Sequence, residues 1–126
     1  MTRGTRRVSL ILGVVLLMSL GVADSAEPLR IRVTPAMAFA PGFVKVQASI
    51  EANAENRILE VVASSQDFYR SSEVEIDGDK APRLNVFTFP NLPAGDYEFT
   101  AILIGTRGPR AQTSQPVRVM RSASGR

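Results

Sequence analysis

From residue 29 onward the chain alternates apolar and polar residues in short runs, with turn residues between them and no sustained helical period. A strand sends successive side chains to opposite faces, so this alternation dictates half-buried strands. Leu29, Ile31 and Val33 alternate with Arg30, Arg32 and Thr34, ahead of Pro35. Val44, Val46, Ala48 and Ile50 alternate with Lys45, Gln47 and Ser49 after Pro41-Gly42. Residues 58–63 are nearly all apolar and suit a central strand, with Asn53 and Asn56 read as the turn before it. Val74 and Ile76 alternate with Glu73 and Glu75, residues 84–89 form a run that stops at Pro90, and Tyr97, Phe99, Ala101 and Leu103 alternate with Glu98, Thr100 and Ile102. Val117 and Val119, alternating with Arg118 and Met120, close the series at seven. Short strands at such spacing point to an all-β sandwich or barrel over residues 27–121, followed by a frayed polar tail at 122–126.

The first thirty residues follow a different rule. Arg3, Arg6 and Arg7 precede residues 8–23, an uncharged apolar run, and small residues follow at Gly21, Ala23 and Ala26. A basic start, an apolar middle and a small-residue end read as a secretory signal peptide of residues 1–23, or 1–26. As a helix the run reaches about 24 Å at ~1.5 Å per residue, short of a bilayer core of about 30 Å. The membrane is therefore expected to matter only through this segment, were it retained. The expected localisation is exported, periplasmic or extracellular. Cleavage after Ala23 leaves 12 basic and 12 acidic residues. The high isoelectric point then belongs to the leader, and no nucleic-acid partner is expected.

Composition narrows the chemistry. The 126 residues include no Cys and no His. Disulfides, thiolate metal sites and thiol nucleophiles are excluded, and the commonest general base and transition-metal ligand are missing. Neither Lys45 nor Lys80 lies in a serine–lysine motif, and there is no glycine-rich phosphate loop. No catalytic residue, cofactor or metal is assigned, and the expectation is a chain that is not an enzyme. Glu73, Glu75, Asp77 and Asp79 are hard-oxygen donors, but no later acid completes a calcium loop. They read as a solvated acidic hairpin turning at Asp77-Gly78.

Residues 89–99, FPNLPAGDYEF, carry the most information. A strand ends at Pro90, Leu92 is placed to plug the core, Gly95 supplies a turn with positive φ, and Tyr97 opens the next strand. The segment resembles the tyrosine corner of immunoglobulin-like and fibronectin type III-like domains. The resemblance implies a seven-stranded antiparallel β-sandwich. It also implies a structural role for Leu92, Gly95 and Tyr97, with the Tyr97 hydroxyl bonded to backbone near residues 90–92. The antibody Cys…Trp…Cys core is absent. Phe43, Phe87, Phe89, Tyr97 and Phe99 are the expected large core residues.

Candidate partner-binding residues fall in three places. Ile102, Ile104 and Met120 alternate with the expected inward positions of the last two strands, so they should form one outward apolar patch. Tyr69, beside Phe68, should be the exposed member of an aromatic pair. Arg107 and Arg110 bracket Gly108-Pro109 in an expected loop that could hold a carboxylate, phosphate or acidic glycan. Residues 51–79 are strongly acidic and residues 107–126 carry five Arg and no acid, charges expected to pair or be solvated. Together these features suggest a non-catalytic protein-interaction or structural module of a bacterial envelope, whose partner is another envelope or extracellular protein. The alternative is a module for polysaccharide or an anionic ligand, using Tyr69 with Arg107 and Arg110.

Overall fold

The computed structural model describes residues 27–122. The signal segment expected at residues 1–23 or 1–26 lies outside the described residues, as does the tail beyond Ser122. Eight strands and one short 3-10 turn make up the described chain. They are β1 (Leu29–Thr34), β2 (Met37–Phe39), β3 (Gly42–Ile50), β4 (Asn56–Ser64), β5 (Tyr69–Glu75), β6 (Leu84–Leu92), β7 (Gly95–Gly105) and β8 (Gly108–Met120). The turn, Gly78–Lys80, lies between β5 and β6.

The all-β expectation holds, and two details change. The strands number eight because residues 37–39 form a short strand that three residues cannot announce by alternation. The sandwich is not wholly antiparallel, since β2 runs parallel to β8. One sheet has the order β1-β3-β6 and the other β2-β8-β7-β4-β5. Asp77-Gly78 does not close a hairpin. β5 pairs with β4 and β6 with β3, so that turn carries the chain from one sheet to the other, with Gly78 at φ 53°.

The core lies between the two inner faces. Val44, Val46, Ala48 and Ile50 of β3 meet Leu59, Val61 and Ala63 of β4, with Leu103, Ala101 and Phe99 of β7. Phe89 and Phe99 are fully buried and pack edge to face, with ring centroids 5.3 Å apart. Phe43 departs from expectation. It is 57% exposed, because Val44 takes the inward position at the start of β3 and its neighbour must point out.

Tyr97 is buried, and its hydroxyl donates to the carbonyl of Pro93 at 2.7 Å. The partner is one residue beyond the expected 90–92 stretch. Leu92 is fully buried, whereas Gly95 is not in the left-handed region. The positive φ in this segment belongs to Asn91, at 59°. Burial raises the Tyr97 phenol above its usual 10.0, partly offset by the Ser65 hydroxyl and the Arg70 charge. A raised pKa means that the folded state favours the neutral phenol. That stabilisation is full below about pH 10, the pKa of the unfolded phenol, and is lost as pH rises through the folded value. Tyr97→Phe is expected to lose about 0.5–1.5 kcal/mol at neutral pH. The gap between wild type and variant should narrow above pH 10. Urea midpoints at both pH values check this, and a gap that widens at high pH would contradict it.

Candidate functional site

Paired strands decide which candidate residues can meet. Tyr69 pairs with Ser64 on β4, and Gly105, two residues before Arg107, pairs with Asn56. Those two β4 positions are eight residues apart, about 26 Å at ~3.3 Å per residue. Tyr69 and Arg107 therefore stand at opposite ends of the five-stranded sheet, and no single small-ligand site can use both. Tyr69 is 67% exposed on the outer face. Phe68 turns inward, edge-on to Tyr97 at 5.9 Å, and Arg70 lies over the Phe68 ring while donating to the Pro90 carbonyl at 2.7 Å.

The expected apolar patch is likewise divided. Ile102 and Ile104 are half-buried on the outer face of β7, where Ile104 sits opposite Ile58 and Ile102 opposite Glu60. Met120 lies at the far end of β8, because Ile102 pairs with Gln112. It instead sits beside Phe39 on β2, with exposed Met37 two residues away.

The Arg107 region has the most built geometry. Of residues 107–110 only Arg107 lies in a turn, and the other three are strand. Gly105 pairs with Gly108, leaving a two-residue turn of Thr106 and Arg107, and β8 begins at Gly108 with φ 116°. Pro109 is tolerated there because β2, the other neighbour of β8, pairs only with residues 118–120. The turn is fastened to the segment before β4. The Thr106 backbone N–H donates to the Glu55 carbonyl at 3.1 Å, and the Thr106 hydroxyl donates to Glu55 Oε1. Asn53 Oδ1 accepts the Glu55 backbone N–H at 2.8 Å and fixes that segment.

Beneath the turn is Asn56, the buried polar side chain of the described residues. Its Oδ1 accepts from Arg110 Nη1 at 2.6 Å, and its Nδ2 donates to the Glu51 carbonyl at 3.0 Å. The Arg110 stem lies across Gly105, where a Cβ would come within 2.6 Å of Arg110 Cδ and 2.8 Å of the Glu55 carbonyl oxygen. Glycine is required here by close approach. Glu55, Thr106, Arg107 and Arg110 line one open recess of about 400 Å³. Arg110 is partly committed to Asn56, while Arg107 is exposed in the turn. Sequence reading marked both arginines but missed Glu55, Asn56 and Thr106. The Asn53-to-Asn56 turn and the Gly105/Gly108 pair were the available signals.

Among the described residues no salt bridge joins the acidic segment to the basic one. The salt bridge among the described residues joins Arg118 to Asp96 at 2.8 Å, both exposed, and Asp96 lies outside the acidic segment. No group of three Asp or Glu among the described residues could hold a metal ion.

No protein-family model matches the chain, and no curated protein matches it. Solved structures do. The superoxide reductase (neelaredoxin) from Ignicoccus hospitalis is similar at 13% identity and a TM-score of 0.55, over 74% of this chain and 80% of that one. A variant of the same reductase gives 12% identity and a TM-score of 0.57, over 78% and 84%. A family 76 glycoside hydrolase from a bovine Bacteroides thetaiotaomicron strain gives 16% identity and a TM-score of 0.52. It covers 75% of this chain, which spans about a fifth of the hydrolase (21%). At such identities the likeness is one of fold. It still corrects the expectation of a non-catalytic interaction or structural module, because the fold this chain shares is one that enzymes carry. The chemistry of the reductases does not transfer with it. A chain without His or Cys offers neither imidazole nor thiolate to a redox metal.

Proposed function

We propose that this chain is an exported, immunoglobulin-like sandwich with an enzyme-type site for a small phosphate-bearing ester at the β7–β8 turn. The observation that carries the reading is the shared recess, where a carboxylate–hydroxyl pair, Glu55 and Thr106, adjoins two guanidinium groups. In this reading Arg107, assisted by the free N–H groups of Arg110, holds the phosphate. Thr106 Oγ1 attacks phosphorus as the ester P–O bond breaks, and Glu55 takes the hydroxyl proton and passes it to the departing alcohol oxygen; water then cleaves the phosphothreonine, releasing inorganic phosphate and returning the Thr106 hydroxyl. A positioned general base contributes on the order of 10²–10⁴-fold. The sheet orders and the Tyr97-to-Pro93 bond support the immunoglobulin-like assignment, and the basic-then-apolar leader supports export.

The test uses p-nitrophenyl phosphate turnover together with inorganic phosphate binding followed by NMR. Wild type is expected to shift the Arg107 and Thr106 amides on phosphate addition and to turn over slowly. Arg107→Ala should lose binding, while Glu55→Gln should keep binding and lose turnover. Wild-type amides that do not move with phosphate, or turnover that survives Glu55→Gln, would overturn the reading.

A further inference from the structure

The two outer faces of the sandwich carry opposite charge, each beside exposed apolar side chains. On the three-stranded sheet, paired rows place Arg30 with Ser49 and Leu84, Arg32 with Gln47 and Val86, and Thr34 with Lys45 and Thr88. Strands β1, β3 and β6 contain no acid at all, and Leu84 and Val86 are each 52% exposed. The rows leave a shallow depression between Arg30, Arg32, Gln47 and Leu84. Glu27 and Glu51 stand only at its margin, near Arg83.

On the five-stranded sheet acids predominate, and exposed Arg118 of β8 is already paired with Asp96. Glu60 lies directly opposite Glu73, with Glu75 opposite Ile58 and Glu98 opposite Ser64. Ile58, Val62, Ile102 and Ile104 are half-buried between these acids. Like charges directly across two strands destabilise a sheet. Among the described residues, none of the four carboxylates has a cationic partner. The face therefore retains both unrelieved negative charge and half-covered apolar area.

We propose that the occupant of each face is a second copy of this chain. The cationic face of one copy docks on the acidic, isoleucine-bearing face of the next. Complementary charge selects this pairing over face-to-same-face contact, which would set Arg30 and Arg32 against themselves or Glu60 against Glu73. Two different faces joined in this way make a head-to-tail contact, which propagates into a ring or a filament.

Sedimentation of the full chain across a concentration series, at about 50 mM and about 500 mM salt, tests the proposal. Wild type is expected to grow in average mass with concentration, and at least about tenfold more weakly at the higher salt, where charge is screened beyond about 3–5 Å. Glu60→Lys/Glu73→Lys and Arg30→Glu/Arg32→Glu, each checked for strand content by circular dichroism, should both be monomeric alone. Mixing them should restore association, because one supplies a cationic face to the other's acidic one. Wild type that stays monomeric at low salt, or association that survives either charge reversal, would overturn the proposal. The second result would show self-association carried elsewhere, including by residues 1–26. The unfolding of one reversed pair would shift the test to Lys45→Glu, expected to weaken association in the same direction, and an unchanged mass distribution there would overturn it.

Discussion

Phe99→Ala is expected to lose about 3–5 kcal/mol of folding stability. Phe99 is fully buried, edge to face with Phe89 at 5.3 Å and tilted against Tyr97 at 6.1 Å. Truncation removes the ring from the centre of the sandwich, and the edge-to-face geometry of its neighbours cannot close on the space. A domain of this size has about 5–15 kcal/mol in total, so the variant should lie near its folding limit. Each kcal/mol should lower the thermal midpoint by about 4–8 °C. Urea denaturation of the full chain, with slope unchanged and midpoint strongly lowered, is the expected result. Phe43→Ala is the control. Its side chain is 57% exposed, and its effect should stay within about 0.5 kcal/mol. A Phe99 variant with a midpoint near wild type would show that the core does not depend on this ring.

Asn56→Ala is expected to cost about 1–3 kcal/mol, more than its two side-chain hydrogen bonds would suggest. Asn56 is fully buried, so its loss leaves the Glu51 carbonyl without its donor and frees Arg110 from the position that fastens β8 to the start of β4. The cost should couple to Arg110. Asn56→Ala and Arg110→Ala together should cost clearly less than the sum of the two, because one bond is counted in both. Asn56→Asp separates the partners further. It keeps an acceptor for Arg110 but sets a carboxylate against the Glu51 carbonyl, so it should recover only part of the loss. Strict additivity in the double-mutant cycle would show that the 2.6 Å bond contributes nothing. The same variants should disturb the Thr106–Arg107 turn, visible as shifted amides there even without ligand.

Much of the core was legible before any coordinates. The inward positions of β1, β3, β7 and β8 follow from period two alone, because a strand with one buried face cannot slip by a residue without exposing every apolar side chain. Val44, Val46, Ala48, Val117 and Val119 are all buried as that pattern requires. The pattern failed where one face is not covered. In β5 every residue but Arg70 is exposed, so its polar sequence carried only its last residues as a strand signal. It failed again at strand beginnings, where Phe43 looked like core because a large apolar residue carries no mark of which side it takes.

The site was legible only in part. Arg107 and Arg110 were visible as paired cations near a Gly-Pro, but their partners were not. Asn56 and Arg110 are joined across 54 positions of sequence, and Glu55 and Thr106 across 51. The sequence by itself determined the strand periodicity, the absence of imidazole and thiol chemistry, and the character of each face, since these depend on neighbours along the chain. The tertiary structure alone decided that Tyr69 and Arg107 lie at opposite ends of one sheet, that Met120 is remote from Ile102, and that a buried asparagine anchors the β7–β8 turn. Those placements depend on which strands pair and in what register. Residues distant in sequence settle that by burying one common core, and no local pattern encodes it.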